Sequence, residues 1–270
     1  MSRRPSRPVR LAATALTAGA LLATAACTDD DGGTTAAQAV AQPTGTVSAS
    51  PSPGALTASG AKAALLTEGD LEGDWNKVSD PGSWRDSLLV GKVDVADFLT
   101  ADANAQDCQR LMDGLYGDDL LGKPSGASAL AGFSMGDSRL LEQVAAYDRS
   151  SLDDSLKWLA SLPQKCDQFT ATDSAGGKRT VQVTEASLPK SGDARQGLHV
   201  VVQGTSNGTP ATLTLDVAAV RVGTDAVLVT GGGLDGGQTD SVTAGARTGT
   251  DRLKTVLSGK TPSSEPGGVN

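Results

Sequence analysis

One histidine, three cysteines and eight aromatic side chains are all that 270 residues supply of the soft metal ligands and of the flat rings that stack on sugars or bases. With a single His and at most one thiol pair inside the folded region, the chain offers no ligand set for zinc or copper, and no cofactor is expected. An aromatic platform for a glycan has little material, and each ring is better placed in a core. Long apolar runs are missing as well. The longest, residues 11–26 (LAATALTAGALLATAA), is mildly hydrophobic and shorter than the roughly 20 residues of a membrane-spanning helix. Positive charge is scarce beyond the first ten residues. Residues 1–26 hold four arginines and no acid, so the rest of the chain carries 19 basic against 31 acidic side chains, a net charge near −12. Such a surface repels phosphate backbones and anionic headgroups, which argues against a nucleic-acid partner.

What is present is clearest at the N-terminus. A basic stretch (MSRRPSRPVR) precedes the apolar run, and Ala25 and Ala26 stand immediately before Cys27. A secretory signal has this layout, because the peptidase pocket admits only short side chains. Cysteine at the first mature position makes it a lipoprotein signal, with Cys27 taking the lipid and residues 1–26 removed. Arg3-Arg4 lacks the apolar residues that twin-arginine export expects next, so ordinary Sec export is read. The expected location is the outer face of a cell membrane, held by the lipid rather than by a basic patch. Residues 27–58 are rich in Gly, Ser, Thr, Pro and Asp and nearly free of large apolar side chains. Such a segment cannot bury enough surface to offset chain entropy and reads as a disordered tether, with a typical span of about 30 Å. Residues 259–270 (GKTPSSEPGGVN) read as a disordered tail. Between them lies one domain, 59–258, of a size suited to a single core.

Cys108 and Cys166 remain, an even pair in an exported domain, and they read as a structural disulfide. The secondary-structure signals are α+β. Cys108, Leu111, Met112 and Leu115 make one apolar stripe on a helix over 104–115. Leu152, Leu156, Leu159 and Leu162 make another over 151–162, with a capping box from Ser151 to Asp154 and a stop at Pro163. A third helix spans about 239–257, and a short turn starts near Thr67. Hairpins pair 128–135 with 139–147, 168–173 with 179–188, and 198–205 with 210–222 across Asn207-Gly208, and 226–230 pairs back across Gly223-Thr224-Asp225. Sequential hairpins without helical crossovers predict an antiparallel sheet of about six to eight strands, with three or four helices packed on one face.

Two motifs invite a chemical reading. GFSMG at 132–136 matches the G-x-S-x-G elbow of serine hydrolases, with Ser134 as nucleophile and His199 as the available base. The elbow needs a strand before it and a helix after it, whereas Ser134 is predicted within a hairpin strand. GGGLDG at 231–236 matches a dinucleotide fingerprint but lacks the second parallel strand and distal acid that such a site needs. Gly231, Gly232 and Gly233 are read first as an inert connection; the alternative is a flexible, ligand-facing loop whose glycines, with a following helix N-terminus, hold an anion.

The order of features is informative as a whole. LLTEGDL opens the domain and a helix carries Cys108; SALAGFSMGDSRLLEQVAAYD forms a hairpin. SLDDSLKWLASLPQKC, TVQVTEASLP, the AAVRVGTDAVLVTGGG hairpin and a final helix follow. Over about residues 65–257 this order resembles the extracellular sensor domain of PknH-type receptor serine/threonine kinases, also found alone on lipoproteins of high-GC Gram-positive bacteria. The resemblance implies an antiparallel sheet flanked by helices, with a central cleft. Those kinase domains carry two disulfides where this chain can make one, and only Cys108 and Cys166 carry over as site residues. The expectation is a non-catalytic ligand-binding or sensor-like domain on a membrane-anchored lipoprotein, whose partner is a small ligand or an envelope protein. A protein-interaction lipoprotein supporting an envelope complex, and more distantly a hydrolase using Ser134, are the alternatives.

Overall fold

Hairpin after hairpin builds a single antiparallel sheet of nine strands in a computed structural model that describes residues 54–95 and 102–263. Cys27, the proposed signal and nearly all of the proposed tether lie outside the described residues. In chain order the strands are β1 (Asn76–Val78), β2 (Val93–Asp94), β3 (Ser128–Met135), β4 (Ser138–Ala146), β5 (Gln168–Asp173), β6 (Lys178–Glu185), β7 (Ala194–Ser206), β8 (Thr209–Val222) and β9 (Asp225–Leu234). Across the sheet they run β1-β3-β4-β9-β8-β7-β6-β5-β2. The helices are α1 (Ala58–Ala64), the single turn α2 (Trp84–Ser87), α3 (Asp102–Gly114), α4 (Arg149–Lys165) and α5 (Asp240–Leu257). The fold is α+β, one strand beyond the predicted range. Asn207 and Gly208 both take positive φ at the tight β7–β8 turn, as their side chains permit.

The helices do not share one face, contrary to the expectation from the hairpins. One core joins α3 and α4 to the sheet through Leu111, Leu152, Leu159, Val200, Leu215 and Val217. A second lies on the opposite face, where α1 and α5 pack through Ala61, Val242 and Leu253 against Val144, Val227 and Val229. The physical reason is written in β9. AVLVTGGG is buried at every position, so this strand needs cover on both faces, as a consecutive rather than alternating apolar run implies.

Ends of elements also differ from expectation. Helix α4 runs past Pro163 to Lys165, because the Cys166 N–H donates to Leu162 O at 2.8 Å and closes the turn beyond the proline. Its N-cap is Asp148, without a side-chain cap, so the Ser151–Asp154 box does not form; an Arg149–Asp153 pair at 3.3 Å spans the first turn instead. The domain starts before residue 59: Leu56 is buried, and the Thr57 hydroxyl accepts from the Gly60 N–H at 3.0 Å to cap α1. It also reaches beyond 258, since Arg252 donates to Ser263 O at 2.8 Å. Cys108 and Cys166 form the disulfide, with Cα atoms 5.7 Å apart, and tie α3 to the end of α4.

Candidate functional site

The apolar stripe of α3 faces the sheet, which leaves a second side of the helix to do other work. Ala105, Gln109 and Asp113 recur every four residues on that side. Gln109 is the organiser. Its amide donates to Val93 O at 2.9 Å and to Asp113 Oδ1 at 3.0 Å, while its Oε1 accepts from the Val95 N–H at 3.0 Å. One side chain thereby holds β2 to the helix. Arg85 from α2 secures the other end of α3 by donating to Leu115 O and to Met112 O.

Between α3, β2 and the segment after the helix opens a groove of about 1080 Å³. Val93 and Ala105 give it an apolar floor, Asp113 and Asp119 line it with carboxylates, and Arg110 and Lys123 bring cations. Arg110 stacks on an aromatic ring: its guanidinium lies 3.8 Å from the centre of Trp158. Trp158 is fixed in turn, because its indole N–H donates to Asp107 Oδ1 at 2.9 Å and Lys165 holds the other oxygen at 2.6 Å. The disulfide is the chain neighbour of this pair, with Cys108 next to Asp107 and Cys166 next to Lys165. Apolar walls with a few converging charged groups suit a small polar ligand carrying both signs of charge. None of these side chains stood out in the sequence; the signal was the polar i, i+4 pair Gln109 and Asp113 beside the Cys108 stripe.

The sequence-proposed sites fare differently. Ser134 and His199 are not brought together. Phe133, beside Ser134 on β3, packs into the α1/α5 core, so Ser134 faces the α3/α4 side. Leu198 and Val200 flank His199 on β7 and pack into the α3/α4 core, so His199 faces the α1/α5 side. The two strands are also four places apart, roughly 19 Å at the usual strand spacing. His199 instead meets Asp216 of the neighbouring strand, Nδ1 to Oδ1 at 2.5 Å. Gly231, Gly232 and Gly233 are not a loop but the buried end of β9. They are small because neighbours leave no room: a Cβ would come within 2.6 Å of Val242 Cγ2 at Gly231 and 2.4 Å of Asp137 O at Gly233.

Glu142 is the group that sequence reasoning passed over. It lies in β4 between Leu140 and Val144, whose side chains share its face, and it is completely buried. Its Oε2 accepts from the Leu66 N–H at 2.6 Å, and its Oε1 has no hydrogen-bond partner among the described residues. Burial pushes its carboxyl up to about 8, with the Leu66 N–H and Arg252 pulling the other way. An acid among alternating apolar positions of a strand was the signal available.

Among the described residues no helix is long and apolar enough to cross a membrane. No protein-family model matches the chain, and no curated protein matches it.

Proposed function

We propose that this protein is a lipid-anchored envelope domain that captures a small polar ligand, a non-catalytic sensor-like module of the kind found on PknH-type kinases. The groove beside α3 carries the reading. It is large, its organising side chains are pinned by hydrogen bonds and by a stacked cation, and the disulfide ties its helix α3 to α4. The protein-interaction alternative is less well supported, because Leu130 is the sole large apolar side chain exposed among the described residues, at 41%, which is not a contiguous patch. A domain held outside the membrane by lipid signals only through a membrane partner, so a sensing role requires one.

Native mass spectrometry on the protein released from its host's membranes tests the reading. A discrete added mass, lost on denaturation, is expected. Ala105→Trp, at a half-exposed helix position in the groove, is expected to abolish that mass while shifting the unfolding temperature by no more than about 2 °C. Retention of the ligand in this variant would remove the groove from the proposal. Anchoring is tested separately: Cys27→Ser is expected to move the protein from the membrane fraction to the soluble one, and membrane retention would refute the lipid.

A further inference from the structure

The stretch Leu56–Leu71, comprising α1 and a 3₁₀ turn (Glu68–Asp70), joins residues 1–53 to the domain, and two polar fasteners hold it down. The first is Arg252 of α5. Its guanidinium donates to Leu65 O at 2.8 Å and Ala63 O at 3.1 Å, and pairs with Asp70 at 3.3 Å. The second is the carboxyl of Glu142, which accepts from the Leu66 N–H. The closest approach of α5 seals that carboxyl from water: a Cβ on Gly249 would lie 2.4 Å from Glu142 Oε1. No water can reach the unpartnered oxygen while Leu66 and α5 stay in place, and lifting Leu56–Leu71 uncovers it.

We propose that Glu142 acts as an acid-closed latch on Leu56–Leu71: the segment stays closed while the carboxyl is protonated and loosens as it ionises, because enclosing the charge costs more than its stronger hydrogen bond to the Leu66 N–H returns. The charged groups facing Glu142 are Asp70 of the segment, Lys77 of β1 and Arg252 of α5. Asp70 opposes ionisation, whereas Lys77 and Arg252 favour it without offsetting the burial. With the segment closed, burial holds the carboxyl at about 8; with it open, water reaches the Leu66 side of the carboxyl and the value falls towards the ordinary 4.5. The closed state therefore keeps a proton that the open state releases. Opening is least favourable below about 4.5, grows up to about tenfold per pH unit, and levels off above about 8. Arg252 and the buried Leu56, Leu65, Leu66 and Leu71 keep the open form a minority throughout.

Amide hydrogen exchange on the full-length chain at pH 5.5 and 7.5, corrected for intrinsic rates, tests the latch. Protection of Ala61–Leu66 is expected to fall by up to about 70-fold over that interval. It should also be lower than that of α4 at both values and insensitive to low urea, as a local opening requires. In Glu142→Gln the fall is expected to vanish. Asp225, raised to about 6 by burial at the start of β9, lies outside the segment, so opening leaves it buried and it adds no slope. An unchanged protection in the wild-type chain would overturn the latch. So would a fall that persists in Glu142→Gln, or exchange with the same protection and urea dependence as α4. The wild-type comparison stands even if the variant does not fold.

Discussion

Replacing Gly232 by alanine is expected to cost more than about 4 kcal/mol, a large share of the stability of a domain this size. The residue sits in β9 with φ +144°, outside the range of L side chains, and a Cβ there would lie 2.0 Å from the Thr214 carbonyl oxygen of β8. That oxygen is backbone in the middle of the sheet, so relief requires β8 and β9 to part, and with them the cores on both faces. Gly208→Ala is the matching control. Gly208 also has positive φ, at +79°, but a methyl group there would meet nothing within 4 Å, so only the conformational cost of about 1 kcal/mol applies. Urea unfolding of the two variants separates steric from conformational penalty. Equal costs would mean that the three glycines form a pliant loop and that the strand assignment fails.

Removal of the disulfide by Cys108→Ala together with Cys166→Ala is expected to lower stability by about 4 kcal/mol in the loop-entropy account. Its bridge closes a sequence separation of 58 residues and joins α3 to α4. Both sulfurs lie inside the core, so the two alanines also leave a cavity, which adds to the loss. At about 2–4 °C per kcal/mol for a domain of this size, calorimetry should show the midpoint falling by about 8–16 °C. Groove and bridge are linked, because Asp107 and Lys165, which fix Trp158 under Arg110, are the chain neighbours of the two cysteines. The variant should therefore also lose ligand-dependent stabilisation. A loss under about 1 kcal/mol would show that packing of α3 on α4 suffices without the bond.

Much of the architecture was legible because it is local. Hairpins announce themselves through alternation and turn residues a few positions apart, and the β3–β4, β5–β6, β7–β8 and β8–β9 pairs form with registers near those expected. The stripes on α3, α4 and α5 were legible for the same reason, since the 3.6-residue period needs no distant partner. Short elements were not: β1, β2, α1 and α2 have two to seven residues each and too few positions for a period. They exist because β1 docks on β3, β2 docks on β5, and α1 packs beside α5.

Sequence alone determined the α+β class, the main hairpins, the cysteine pair and the acidic, histidine-poor composition of the chain, all of which follow from composition or from neighbours a few residues apart. Tertiary structure decided which faces of the sheet are covered. It separated Ser134 from His199, turned the three glycines from a loop into the tight end of β9, and set Glu142 against Leu66, 76 residues away. It also made the groove, whose lining comes from β2, α3 and the following segment. Local patterns such as the consecutive apolar run of β9 hint at burial, but which residues meet depends on contacts far apart in the chain, so close approach and enclosure are settled only by the tertiary structure.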